Sequence, residues 1–188
     1  DVVSIVTPNH LHVPIAKIFA EKGIHIICDK PIGMSSEEAI DLKKIIESKK
    51  LIFALTHNYT GYPMVRHARS LVQKGDLGSL RVIQAEYPQD WLTTKAEDSG
   101  LKQAEWRTDP NRSGAGGCIG DIGTHAYNLI RFITGLEVDE ISADIHTFVE
   151  GRQVDDNAQI MLRFKGGAKG SIWSCLLYTS PSPRDTMS

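Results

Sequence analysis

Three side chains in this sequence are of types that can together handle an alcohol: an amine at Lys30, a carboxylate at Asp121 and an imidazole at His125. Asp121 and His125 stand four residues apart at the start of an expected helix, a spacing that projects both from one face. An imidazole so placed can take a proton from a hydroxyl while the carboxylate binds a neighbouring one. The other use of the same residues is a helix cap at Asp121 and a packing contact at His125. Lys30 directly follows the apolar run Ile24–Cys28, within Asp29-Lys30-Pro31. There its ammonium can donate a proton or anchor a hydroxyl, or it can be a surface lysine paired with Asp29.

A second group of residues has the chemistry of binding. Thr7-Pro8-Asn9-His10-Leu11-His12 follows the apolar run Asp1–Val6, where free N–H groups at a helix start, with the Asn and His side chains, can hold a phosphate or ribose. Thr7 or Asn9 can equally cap the helix and leave His10 and His12 solvated. The two histidines have no Cys or carboxylate nearby at ligand spacing, so no metal site is expected. Trp106-Arg107 offers a ring face and a fork of donors, suited to a nicotinamide or its carboxamide, or to loop packing. The glycines Gly114, Gly116, Gly117 and Gly120 do not make a dinucleotide fingerprint, because Ile119 stands where the third glycine would fall and no strand precedes them. Their expected use is to let backbone approach a ligand.

The elements that must position these groups are legible as periodicity. Strands are expected at Asp1–Val6, Ile24–Cys28 and Leu51–Leu55, alternating with helices at Leu11–Lys22 and from a capping box at Ser35 and Glu38 to Lys49–Lys50. On the first helix Ile15, Ile18 and Phe19 share a face. This is a β-α-β-α-β parallel unit, and ligands bind beyond the carboxyl ends of such strands. After Asn58 the pattern changes. Pro63 opens a helix to Lys74, and strands at Leu80–Tyr87, Glu140–Val149, Ala158–Phe164 and Ala168–Ser174 imply an α+β sheet. Between the first two lie a polar loop, Pro88–Gly120, and a helix, Asp121–Thr134. The expected fold class is α/β: the C-terminal part of a parallel sheet over residues 1–58, then an α+β open-sheet domain over 59–174.

Composition narrows the function. The 188 residues carry 21 Lys+Arg against 23 Asp+Glu, a net charge of -2 without basic clusters, so no nucleic-acid partner is expected. No apolar run approaches the roughly 20 residues of a membrane span, so no membrane partner is expected either. The three cysteines, Cys28, Cys118 and Cys175, share no CxxC spacing, which favours a reducing compartment such as the cytoplasm, although the start of the chain leaves a signal peptide open. Cys175–Asp185, CLLYTSPSPRD, resembles a translated sequencing-adapter read-through, and residues 175–188 are expected to be a non-native tail outside the fold.

Together, TPNHLH at 7–12, CDKP at 28–31, WR at 106–107 and GCIGDIGTH at 117–125 resemble the glucose-fructose oxidoreductase/inositol dehydrogenase (Gfo/Idh/MocA) family. The resemblance implies a Rossmann domain that binds NAD or NADP, followed by a large open sheet that commonly forms homodimers or homotetramers. It implies cofactor contacts at Thr7, Pro8, Asn9, His12, Asp29, Lys30, Asn58, Trp106 and Arg107, with Lys30, Asp121 and His125 catalytic. Asp29 replaces the usual Glu of the family. The implied activity is hydride transfer between a sugar, sugar derivative or cyclic polyol and the nicotinamide. Relatives that hydrolyse glycosidic bonds with transient use of NAD, and a non-catalytic dinucleotide or sugar sensor, are the alternatives on this fold. The family's first βαβ unit, with its glycine fingerprint, has no counterpart here, so a chain truncated at both ends, aggregation-prone and inactive by itself, is expected.

Overall fold

Residues 1–178 are described by the computed structural model. Three strands, β1 (Val2–Ile5), β2 (His25–Asp29) and β3 (Phe53–Thr56), pair in parallel in the order β1-β2-β3. Parallel neighbours need a crossover, and helices α1 (His12–Glu21) and α2 (Ser36–Ser48) provide both. Ser35 Oγ accepts the Glu38 N–H at 3.2 Å, while Glu38 Oε2 accepts the Met34 N–H at 2.9 Å, so the capping box closes one residue earlier than its standard form. Ile5, Val13, Ala16, Ala20, Ile26 and Leu42 make the core between helices and sheet. On α1 the small residues turn inward, and the expected face is corrected: Ile18 is 57% exposed while Ala16 and Ala20 are fully buried. A helix lying close on a sheet favours alanine at the contact.

After a 3₁₀ turn at Asn58–Gly61, α3 (Pro63–Lys74) starts on its proline and stops at Gly75, whose φ of 78° is one that a glycine adopts without strain. Strands β4 (Val82–Pro88), β5 (Val138–His146), β6 (Asn157–Phe164) and β7 (Lys169–Cys175) form a mixed sheet of order β4-β7-β6-β5. β5, β6 and β7 are an antiparallel meander, and β4 joins β7 in parallel. Helix α6 (Thr124–Thr134) covers one face, where Ala126 and Ile130 meet Ala158, Ile160, Leu162 and Ile172. The strict alternation of β6 sends Ala158, Ile160 and Leu162 inward and Met161, 66% exposed, outward.

Three expectations change here. Pro88–Gly120 is not an irregular loop: it contains a 3₁₀ turn, Ala96–Ser99, and two short helices, α4 (Lys102–Arg107) and α5 (Pro110–Ser113). It is tied down by Arg152, which donates from Nη1 to Leu92 O at 2.9 Å and from Nη2 to Thr94 O at 3.0 Å, and pairs with Glu97 at 3.0 Å and Asp156 at 3.3 Å. The helix expected from Asp121 begins instead as a π turn, Ile119–Gly123, before α6. Finally, the fold does not stop at Ser174. Cys175 pairs with Pro88, and Leu176, 2% exposed, donates its N–H to Asp156 O at 2.9 Å. The rest of the expected tail, 179–188, lies outside the described residues.

Candidate active site

The carboxyl ends of the three parallel strands all point to one region, which is where such sheets hold ligands. Thr7, Pro8 and Asn9 follow β1, Asp29 closes β2 with Lys30 and Pro31 after it, and His57 and Asn58 follow β3. The α4–α5 segment and the π turn come from the second sheet's side and close over them. Two cavities result. One, of about 270 Å³, is lined by Thr7, Pro8, Asn9, Asp29, Trp106 and Gly120 among others. The second, of about 490 Å³, is lined by Asn58, Tyr59, Tyr87, Gln89, Trp91, Ile122 and His125. Lys30, Gln103, Arg107 and Asp121 line both.

At that shared wall the lysine and the carboxylate meet. Lys30 Nζ donates to Asp121 Oδ1 at 3.0 Å and also to the Asp121 carbonyl, with the two side chains only 15% and 22% exposed. Arg107 Nε lies 3.6 Å from the same Oδ1. Its guanidinium stacks over Trp106 at 4.3 Å and sits 6.0 Å from the Trp91 ring centre. One carboxylate therefore faces two cations and keeps Oδ2 for a further donor.

His125 is 8% exposed and is held by rings rather than by hydrogen bonds: His57, Tyr59 and Tyr87 lie at centroid distances of 5.8, 4.7 and 6.2 Å. Burial first, then the Lys30 ammonium and His57, push its pKa down to about 4, against the opposing pull of Asp121 and Asp29. The ring is therefore neutral near pH 7 and has a free nitrogen to accept a proton. Tyr59 and Tyr87 share a hydrogen bond between their hydroxyls, and burial raises the Tyr87 pKa. The expected common face of Asp121 and His125 is thus realised with a difference. The π turn aims Asp121 at Lys30 and Arg107, while His125 faces the aromatic side of the same cavity.

The smaller cavity offers polar atoms of the kinds that ribose and phosphate oxygens pair with. Thr7 Oγ1 is buried there and has no partner among the described residues, which leaves a donor for a ribose or phosphate oxygen. A Cβ added at Gly120 would meet nothing within 4 Å, so backbone stands open at that wall. Asn9 gives its Nδ2–H to Ser113 O at 2.8 Å and keeps its oxygen, and Asp29 accepts from Thr56 Oγ1. His12 departs from the expectation. At 1% exposure it lines neither cavity, and its ring nitrogens rest on Pro31 O and Thr7 O, each at 2.7 Å, bracing the two turns against one another. Gly117 also departs from it. A Cβ there would come within 2.1 Å of Asp155 O, so that glycine serves the chain's own packing.

Sequence reasoning missed four residues. Asp155 Oδ1 accepts from Gly117 N–H at 2.6 Å, and Oδ2 accepts from Ile119 N–H and Cys118 Sγ, each at 2.9 Å, so this buried carboxylate fixes the start of the π turn. His57, Tyr59 and Tyr87 surround the imidazole. An acidic residue after a turn and two tyrosines 28 positions apart, Tyr59 and Tyr87, carry no local signature of this role; only His57, next to the expected Asn58, could have been flagged by position. Among the described residues no group of three or more His, Cys, Asp or Glu is placed to hold a metal ion.

Known proteins share this two-part architecture. Residues 1–57 match the family described as "Oxidoreductase family, NAD-binding Rossmann fold", and residues 65–187 match "GFO/IDH/MocA C-terminal domain". A levoglucosan dehydrogenase from Pseudarthrobacter phenanthrenivorans is 31% identical, covering 91% of this chain and 48% of its own length. Among solved structures, an inositol dehydrogenase homolog from Azotobacter vinelandii, complexed with NAD+, superimposes with a TM-score of 0.92 at 28% identity, over 95% of this chain and 46% of that one. An oxidoreductase from Sinorhizobium meliloti is 46% identical with a TM-score of 0.79, over 96% of this chain and 46% of that one. The chain spans about half the length of the curated relatives it matches.

Proposed function

The chain belongs to the GFO/IDH/MocA oxidoreductase family, and on that premise we propose that the whole protein oxidises a secondary hydroxyl of a sugar, sugar derivative or cyclic polyol. The observation that carries this reading is the Lys30–Asp121 pair, 3.0 Å long, standing in the wall common to both cavities with His125 in the larger one. A small polyol in the larger cavity can reach an amine, a carboxylate and a neutral imidazole at once. The names of two relatives, a levoglucosan dehydrogenase and an inositol dehydrogenase homolog, support the same substrate class.

When bound, a nicotinamide dinucleotide supplies hydride-acceptor chemistry. Thr7, Pro8, Asn9, Asp29, Asn58, Trp106 and Arg107 are the residues proposed to hold it, with Thr7 Oγ1 and the Trp106 ring facing the smaller cavity. His125, uncharged at neutral pH and so with a nitrogen lone pair free, takes the proton of the reacting hydroxyl at its ring. The Lys30 ammonium hydrogen-bonds the hydroxyl oxygen and steadies the negative charge that develops there. Asp121, already oriented by Lys30 and Arg107, accepts from an adjacent hydroxyl. Tyr87, Tyr59 and Trp91 line the cavity with ring edges and faces that suit the C–H faces of a sugar.

In this reading residues 1–58 form the cofactor unit and 59–174 the substrate unit. Apolar surface left open on the second sheet, Met161 66% exposed on its outward face and Ile141 65% and Ile145 52% exposed on the helix-side face of the edge strand β5, supports assembly as a homodimer or homotetramer. Three buried free cysteines, Cys28, Cys118 and Cys175, support a reducing, cytoplasmic setting. The experiment that tests the function is a panel of neutral sugars and polyols with NAD or NADP and the full-length protein. Reduced cofactor should accumulate with at least one cyclic polyol or sugar. Release of free sugar from glycosides without net reduction, or dinucleotide binding with no turnover on any member, would contradict the reading.

A further inference from the structure

His57 directly follows β3, and its backbone is held on both sides: its N–H donates to Leu55 O at 3.0 Å, while its carbonyl accepts from Thr60 N–H at 3.2 Å and from Thr60 Oγ1 at 2.7 Å. The ring carried by this backbone meets His125 edge to face, with centroids 5.8 Å apart and planes at 90°. Its Nδ1 is buried and has no hydrogen-bond partner among the described residues. Native proteins nearly always partner such atoms. An unpartnered imidazole nitrogen kept against the imidazole that faces the larger cavity therefore calls for a reason other than packing.

We propose that His57 is a positioning residue for His125, the two imidazoles forming one coupled unit that takes its first proton jointly and its second only at lower pH. Two cationic rings in contact, in a site that is partly dry, would repel each other strongly. The surrounding charges act on the pair as a whole. β2 and its end contribute Asp29 and the Lys30 ammonium, the π turn contributes Asp121, the β3–α3 turn contributes the Tyr59 hydroxyl, and β4 contributes Tyr87. Burial, and after it Lys30, lower the proton affinity of both rings. The pair is then uncharged at neutral pH and takes its first proton in acid, and a proton on either ring disfavours protonation of the other.

The inference deepens the reading of His125 as the base, because a protonated His57 would shut off acceptance of the substrate proton. Its test reads the unit without turnover. NMR titration of the histidine Cε1–H signals is carried out on the whole chain without cofactor. In the unmodified protein both signals should move in two steps with shared midpoints, the mark of coupled sites. In His57→Gln the His125 signal should titrate in one step, with the lower midpoint gone, and His57 should do the same in His125→Gln. Independent single-step curves in the unmodified protein, or midpoints that stay put in both variants, would overturn the proposal. Should a variant lose signal dispersion and prove unfolded, the curves of the unmodified protein decide alone. A protein with coupled histidines but no activity on any polyol would refute the dehydrogenase reading and leave the pair standing; uncoupled histidines in an active enzyme would do the reverse.

Discussion

Lys30 and Asp121 are 91 positions apart in the chain, yet Nζ of the first donates to Oδ1 of the second at 3.0 Å. Each sits at the end of a different structural half, Lys30 just beyond a parallel strand and Asp121 in the π turn that leads into α6. The pair ties the two halves together at the wall that both cavities share. Replacing Lys30 with Met removes the donor to the reacting oxygen and leaves Asp121 with Arg107 alone, at 3.6 Å. Steady-state kinetics of the full-length Lys30→Met enzyme should show kcat down by about 10² or more, the usual contribution of a positioned proton-handling group. Unchanged kcat would remove Lys30 from the chemistry.

The depressed pKa of His125 makes stability depend on pH in a defined direction. Its ordinary value of 6.5 applies to the unfolded chain and about 4 to the folded one. Between those values the unfolded state binds more protons, so stability rises with pH through that window and is lost as pH falls through it. His57, also lowered, works in the same sense. Urea midpoints measured from pH 7 to pH 4 should fall, and His125→Gln should flatten the slope. A slope identical in the variant would show that the acid sensitivity comes from elsewhere.

Asp155 is predicted to matter for folding more than its position in a turn implies. Its carboxylate accepts from two backbone N–H groups and one thiol, at 2.6 to 2.9 Å, all within the Gly117–Ile119 segment. Asp155→Ala strands those buried donors, at a cost of about 3 kcal/mol on the scale of lost bonds to a charged acceptor. Chemical denaturation of the variant measures it, and a change below about 0.5 kcal/mol, typical of surface sites, would refute the capping role.

Leu176 tests where the fold ends. Its side chain is 2% exposed within the cluster that includes Leu92, Ala158 and Ile160. Leu176→Ala should therefore cost about 2 to 5 kcal/mol by transfer and cavity terms. A neutral result in urea denaturation would mean that the segment after Ser174 is an appendage after all.

Several features were legible because their causes are local. Pro63 and Gly75 mark the first residue and the stop of α3, since a fixed φ suits the first turn and a left-handed φ suits the exit. Ser35 caps α2 through a bond to a residue three positions on. The motifs around Thr7, Lys30, Trp106, Asp121 and His125 were legible as chemistry for a related reason: each is a short run beside a recognisable strand or helix start. The π turn was not legible, because it depends on Asp155, more than thirty positions downstream in sequence. Nor was the order within 88–120, which hangs on Arg152.

Outside residues 88–123, the sequence by itself determined which elements form, and in what order, because hydrophobic period, caps and turn residues act over a few positions. It also determined which reactive side chains are available. Only the tertiary structure decided which of them meet. His12 was drawn under the site as a brace while His57 was drawn beside His125, and Lys30 was turned onto Asp121. Burial of apolar faces selects that arrangement, and the buried ion contacts of Asp155 and Arg152 fix it. Both operate between residues tens of positions apart, and no local pattern encodes them.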